Sequence, residues 1–276
     1  MQNWHTINAQ RRRYINYSTT MLNRDLRNIR NTFKQAVVDL GSAEAALSSI
    51  SESNVRQSVE KSFIEMYQMT GVAFAKSAVA TLQKSAKMKL KAADPEILES
   101  EWLRYMRDFV IGKCGQKIQS VTRNILIDVE NVTRQVVAEG APLGWGPARV
   151  ADEIFKRTGR RDKWRAVRIA RTEVVGASNA GSHKGAGSFG IKLRKIWLVN
   201  LDGATRDDHA AMANAEHIGM EDRWQVGDDL MLHPHDPDAS IENVVNCRCA
   251  VTHEPEQNII DDILSGRFDP ENPEIY

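Results

Sequence analysis

KLRKIWLVNLDG, residues 192–203, is where the chain changes character. Within it the apolar residues form a short run of strand type, KIWLVN, closed by Asp202 and Gly203 as a turn. Upstream they recur at helical spacing. Leu22, Leu26, Ile29, Phe33, Val37 and Leu40 lie four, three, four, four and three residues apart, one stripe of a helix over 20–40, with Arg24, Arg27, Arg30 and Lys34 on its other faces. Gly41 and Ser42 interrupt it. A second helical pattern starts near Asn54 and runs through Val55, Val59, Phe63, Met66, Phe74 and Leu82 into the lysine-rich KSAKMKLKAAD, whose cations suit a helix end. Asp94 before Pro95 and Glu96 predicts an N-cap with proline at the first helical position. That helix continues, with a break near Gly112 and Gly115, through Ile118, Val121, Ile125, Val129, Val132 and Val136 to Gly140. The first half thus reads as long helices with short connections.

Between the two regimes, the turn GAPLGWG (140–146) precedes a helix opened by Pro147. Asp162 is placed to cap the next helix, which GSHKGAGSFG (181–190) ends. Two short helices about a glycine, the second rich in arginine, admit a helix-turn-helix reading, although the loose turn spacing favours a plain helix pair on a core. Beyond residue 203, TRDDHAAMANAEH reads as a helix and RWQV as a strand. DDLMLHPHDPDAS reads as a loop, and SIENVVNCRCAVTH as a helical turn entering a strand. From Glu254 onward, three prolines and one arginine among many acids predict an extended tail. The expectation is an α+β chain in three parts. These are a basic, mainly helical region at 1–140, a small mixed α/β domain with a short antiparallel sheet at 141–253, and an acidic tail at 254–276.

At 276 residues, 42% hydrophobic and 26% charged, the chain has room for about two domains. No apolar run approaches the roughly 18 residues of a spanning helix, and MQNWHTINAQRRRY sets three arginines where a signal peptide carries its apolar region. Membrane embedding and classical secretion are not expected, and three cysteines cannot make a disulfide framework. The net charge of +1 hides a segregation. Residues 1–199 hold 33 Lys and Arg against 18 Asp and Glu, a balance of +15, whereas 200–276 hold 4 against 18, or −14. Either the basic body meets phosphate, or the two halves neutralise one another within one fold.

Cys247 and Cys249 flank Arg248 on the predicted strand, where residues two apart share a face, so both thiols point to one place. A zinc site would need two further ligands, with His209, His217, His233, His235 and His253 as candidates. The competing reading packs both cysteines as small hydrophobes and turns Arg248 outward to an acidic neighbour. Arg171, Thr172 and Glu173 stand in an apolar helix, and Asp202, Arg206, Asp207 and His209 form a second polar cluster. Buried charges are normally paired, so an Arg171 to Asp202 or Glu173 to Arg206 bridge is expected. A catalytic reading, with Glu173 and His209 as acid and base, lacks both a nucleophile and a phosphate-binding loop.

IARTEVVGASNAG, KIWLVNLDGATRDDHAAM and VGDDLMLHPHDPDASIENVVNCRCAV follow in that order within about 90 residues. Together they resemble the phage Mu F-type minor head, or head morphogenesis, family. The matching positions are Arg171, Thr172, Glu173, Trp197, Asp202, Arg206, His209, Asn246, Cys247, Arg248 and Cys249. The resemblance implies a low-copy internal virion component rather than an enzyme. It would associate with the portal protein and capsid interior, and its oligomeric state would be set by them. It would be present in host cytoplasm during assembly and have no membrane partner. Packaged double-stranded DNA would be bound without sequence preference, and the candidate phosphate contacts are Arg11, Arg12, Arg13, Lys84, Lys87, Lys89 and Lys91. The resemblance implies no cofactor; the expected one is none, unless the residues themselves hold a structural zinc at His209, Cys247 and Cys249. The alternative function is a zinc-stabilised or zinc-dependent enzyme acting on nucleic acid, with Glu173 as base.

Overall fold

The computed structural model describes residues 3–85 and 95–267. Six helices come first: α1 (Trp4–Leu40), α2 (Ala43–Ser49), α3 (Glu52–Ser85), α4 (Pro95–Lys113), α5 (Gly115–Gly140) and α6 (Pro147–Gly187). The rest of the chain alternates short strands with short helices. It comprises β1 (Leu193–Leu198), α7 (Asp207–Ala211), β2 (Ile218–Gly219), β3 (Trp224–Val226), β4 (Asp229–Met231), α8 (Ile241–Val244), β5 (Ala250–Pro255) and α9 (Gln257–Ser265). The expected α+β class, with long helices first and small antiparallel sheets after, is what the structure shows. Local chemistry accounts for several boundaries. Gly41 ends α1 at φ +66°, a left-handed cap that glycine adopts without strain, and Ser42 then caps α2 by accepting from the Ala45 amide at 3.2 Å. Pro95 and Pro147 open α4 and α6 as read; Asp94, Lys87, Lys89 and Lys91 lie outside the described residues.

The chain divides into two compact units, neither of them one contiguous segment. One unit holds Met1–Ile15, Glu65–Phe109 and Arg171–Tyr276; the other holds Asn16–Ile64 and Val110–Ala170. The expected boundaries at 140 and 253 followed changes of composition, and these units do not coincide with them. The second unit is helical throughout its described elements. Phe33, Val37, Ala43, Ala46, Val129, Val132, Val136, Val150, Ala151 and Ile154 form a buried apolar core there. Asp162 joins Arg30 and Arg165, and Arg165 also meets Asp128. Burial pushes the Asp162 carboxyl above its ordinary range, against the pull of both guanidinium groups.

Asp162 therefore does not cap a helix. It sits inside α6, which runs unbroken for 41 residues, so the helix pair and the helix-turn-helix reading both fall. The glycine-rich stretch does end that helix, at Gly187, but its first glycines are still helical. In the first unit a Cβ on Gly181 would lie 2.1 Å from the Gly71 carbonyl oxygen, and one on Gly185 would lie 2.5 Å from Ala75. Gly181 and Gly185 are thus the places where α6 approaches the α3 backbone, and small residues at both allow it. The tail also differs from expectation, because Gln257–Ser265 forms α9 with Ile259 buried.

β1 is the centre of a three-stranded antiparallel sheet in the order β2-β1-β5. Its register pairs Trp197 with Val251 and Lys195 with His253. β3 and β4 make a separate hairpin around Gly227, whose φ of +56° requires a residue tolerant of the left-handed region. Trp197, Met212, Trp224, Val226, Met231, Cys247, Cys249 and Val251 form the core beneath. Trp197 and Trp224 meet edge to face at 5.3 Å.

Candidate functional site

The first unit gathers the Cys-Arg-Cys segment, the end of β1 and α7 at one place. After α8, Asn246 takes a left-handed conformation at φ +59°, one that asparagine tolerates better than most residues. That turn delivers Cys247, Arg248 and Cys249 to the start of β5. Both thiols point inward and are buried; Arg248 points outward and forks onto Asp202, at 2.5 and 2.6 Å. The pair holds the Asp202 carboxyl well below the usual carboxylate range, with the Ala204 amide helping from the Asp202–Gly203 turn. The outward arginine with its acidic neighbour is thus present, and so is the convergence of the thiols.

His209 on α7 completes the group. Its Nδ1 lies 3.5 Å from the sulfur of Cys247 and 3.5 Å from that of Cys249. Its Nε2 lies 3.2 Å from Asn243 Oδ1. The tautomer follows from the next shell. Asn243 Nδ2 donates to the Val226 carbonyl at 3.1 Å and to Asp229 Oδ2 at 2.7 Å, which leaves Oδ1 toward the histidine. Oδ1 can only accept, so a ring proton sits on Nε2, and Nδ1 is the ring atom that faces the thiols. Of the two sulfurs, Cys249 holds the negative charge more readily, because Cys247 donates to it; the same bond and burial push Cys247 up.

Behind the segment, its backbone is tied down by residues far away in the sequence. Arg11 of α1 donates to the carbonyls of Arg248 at 3.0 Å and Cys249 at 3.1 Å, to Ser178 Oγ at 2.7 Å and to Asn179 Oδ1 at 2.7 Å. Asn179 of α6 receives the Val251 amide at 3.1 Å and donates to the Pro234 carbonyl at 2.8 Å. Arg11 is 1% exposed, and burial lowers its pKa to about 10. A buried guanidinium with these partners is a brace, which removes Arg11 from the expected phosphate contacts; Arg12, Arg13 and Lys84 are exposed.

Neither expected bridge forms. Asp202 takes Arg248, Arg171 is exposed, and Arg206 donates to the Val245 carbonyl at 2.5 Å. Glu173 is buried and accepts from the Tyr67 hydroxyl at 2.8 Å, and Thr172 is buried beside it on α6. The glutamate and His209 are therefore not shown working on a common atom. Of the candidate histidine ligands, only His209 reaches the thiols. His217 meets Glu254 at 2.7 Å, and His233 and His253 lie within 6 Å, ring to ring, of His183. Among His, Cys, Asp and Glu of the described residues, His209, Cys247 and Cys249 are the group that could hold a metal ion.

Two residues carry more of this site than sequence reading assigned to them, and a third is an unexpected buried charge in the same unit. Asn179 lies in the quoted GASNAG and Asn243 in SIENVV, but amides without a fixed spacing to the cysteines give no local signal. Lys195 is fully buried in β1, donates to the carbonyls of Asp222 and Leu232 and lies over the Trp224 ring at 4.9 Å. Burial draws its pKa down to about 8. A lysine in a strand reads as a solvent-facing residue, so nothing marked it.

Fold and site define a helix-rich protein closed by a small antiparallel module around a braced Cys-Arg-Cys segment. Residues 128–252 match the family described as Phage Mu protein F like protein, and this segment belongs to that family. The family points to phage head morphogenesis and, with it, to the virion. The chain is 22% identical over 204 residues to Uncharacterized protein YqbB of Bacillus subtilis, a match covering 71% of this chain and 62% of that protein. It is 30% identical over 123 residues to NAD(+)--arginine ADP-ribosyltransferase EFV of Enterococcus faecalis, covering 44% of this chain and 24% of that protein. The matches span less than two thirds of either relative's length. No solved structure matches the chain. Among the described residues, no helix is long and apolar enough to cross a membrane.

Proposed function

We propose that this protein is a minor head component of a phage particle, acting in head assembly at the portal and capsid interior and touching packaged double-stranded DNA through its helices. The observation that carries the reading is the family match over 128–252, a segment that includes His209 and the whole Cys-Arg-Cys turn. The site's architecture supports a structural role. Arg11, Asn179 and Asn243 are engaged in holding backbone, and the cavity beside the thiols is only about 10 Å³, room for one water and no nucleotide. That weighs against a nucleic-acid enzyme centred on His209 and Glu173. The ADP-ribosyltransferase leaves 76% of its length unmatched, which favours a shared module as the source of the likeness.

A surface for phosphate lies on α6 rather than at the buried Arg11. Lys156, Arg160, Lys163 and Arg168 are exposed along less than half the helix circumference, and Trp164 stands among them at 80% exposure. Cations around an open aromatic ring suit non-specific binding to a polyanion.

The test is particle composition. A tagged copy expressed during phage production should be recovered in empty proheads and in full particles at a few copies per portal ring. Absence from both particles would overturn the reading.

A further inference from the structure

We propose that His209, Cys247 and Cys249 bind one zinc ion, with a single water as the fourth ligand. The first argument is geometric. With Zn–S near 2.3 Å and Zn–N near 2.05 Å, a tetrahedral ion sets each N···S edge at about 3.6 Å. Both N···S distances here are 3.5 Å, and all three ligand atoms lie within 4.8 Å of one another. The second argument is donor counting. Nδ1 carries one lone pair, and it faces two sulfurs at equal distance. A hydrogen bond from a thiol uses that lone pair for one sulfur only, whereas a metal ion engages all three atoms.

The surroundings fit the same assignment. Asn243 accepts the Nε2 proton and is itself locked by Val226 and Asp229, the second-shell arrangement that aims a histidine lone pair at a metal. Trp197 packs edge-on against the imidazole at 6.1 Å and fixes its plane. Arg11 holds the carbonyls of Arg248 and Cys249, and Asn179 that of Cys249, so the main chain that carries the thiols is braced. On the remaining side lies the cavity of about 10 Å³, lined by Asn200, Thr205, Arg206 and Asn246 as well as by the ligands. It has the size of one water, and polar groups face it. The ion would join α7 to the Cys-Arg-Cys turn that leads directly into β5.

The full chain, purified without chelator from zinc-supplemented culture, should carry one zinc per chain by mass spectrometry of the metal. Replacing zinc by cobalt should give the intense visible bands of a tetrahedral ion with thiolate ligands. Cys249→Ser should lose the metal and the thiolate-to-cobalt band. Asn243→Ala, which keeps all three ligands, should retain the stoichiometry but bind about 10- to 100-fold more weakly in chelator competition. If Cys249→Ser fails to fold, the cobalt spectrum of the unaltered chain decides. A chain free of zinc whose cobalt spectrum shows no thiolate ligation would overturn the proposal, as would zinc that survives in a folded Cys247→Ser, Cys249→Ser double variant.

Discussion

The two compact units satisfy their polar groups in opposite ways. In the helical unit the backbone is satisfied by the helices themselves, and side-chain charges are left to pair with one another, as Arg30, Asp162, Arg165 and Asp128 do. In the unit that carries β1 and the Cys-Arg-Cys segment, long stretches run without regular structure, and side chains bond to backbone instead. Arg11 reaches the carbonyls of Arg248 and Cys249, Asn179 that of Pro234, Lys195 those of Asp222 and Leu232, and Asn243 that of Val226. A buried carbonyl outside a helix or sheet needs a donor, and the chain sends one from a distance. The difference teaches where mutations should hurt: at charge junctions in one unit, at close approaches and braces in the other.

The largest expected effect breaks the charge junction. Asp162→Ala leaves Arg30 without its carboxylate and Arg165 with Asp128 and the Asn124 carbonyl, and removing one partner of a buried pair costs about 4 kcal/mol. Chemical denaturation should report the loss, and hydrogen exchange should rise first in peptides from 16–64 and 110–170. A loss below about 1 kcal/mol would show that the junction is solvated and that apolar packing alone holds this unit. The counterpart in the other unit is Gly181→Ala. Its new methyl would meet the Gly71 carbonyl at 2.1 Å, a backbone atom that cannot swing aside, so about 3 kcal/mol is expected, with exchange rising in 65–109 and 171–267.

These two positions also show what the sequence conveys and what it withholds. Helix stripes, the prolines that open α4 and α6, and the run KIWLVN are local, and local periodicity found them. Asp162 and Gly159 look like a helix break by every local rule. Inside the helix Asp162 holds Arg30, distant in sequence, whereas a Cβ at Gly159 would stand 3.5 Å from that guanidinium carbon, an ordinary contact, so no close approach requires the glycine. Gly181 and Gly185 look like a terminator for the same reason, until Gly71 and Ala75 are seen against them. The site divides likewise. Alternation on a strand brought Cys247 and Cys249 to one face and turned Arg248 away, yet choosing His209 among five candidate histidines, and Arg248 as the partner of Asp202, required tertiary structure. Arg11 misled because three consecutive arginines read as surface charge, and only one of them is buried.

A smaller effect sharpens the contrast through pH. His183 and His253 are buried in the first unit, with pKa values lowered to about 2 and about 3 by burial and by their neighbours Lys195, His233 and, for His183, Lys184. Asp236 faces the same cluster and raises its neighbour His233, without undoing that ring's burial. In the unfolded chain these imidazoles titrate near 6.5. As pH falls below that, the unfolded state takes up protons that the native state refuses, so stability falls with pH until the native values are reached. Each ring contributes up to about 1.4 kcal/mol per pH unit in that window. Denaturation midpoints of His253→Asn should therefore fall less steeply than those of the parent chain between about pH 6 and pH 4. Equal slopes would mean that His253 is protonated in the native fold.

The smallest effect on stability carries the most information about which unit meets DNA. Alanine at Lys156, Arg160, Lys163 and Arg168 removes exposed cations of the helical unit, so each substitution should change stability by about 0.5 kcal/mol or less. Binding to double-stranded DNA should weaken uniformly across sequences, and the slope of log K against log salt should flatten by about 0.9 for each phosphate that the protein no longer neutralises. Trp164→Ala should weaken binding without changing that slope, because a ring releases no counterions. The opposing set is Arg12, Arg13 and Lys84, all exposed and all in the other unit. If the slope flattens only when those three are replaced, the phosphate surface belongs with the braced module. The stripe on α6 would then be an ordinary solvated helix face.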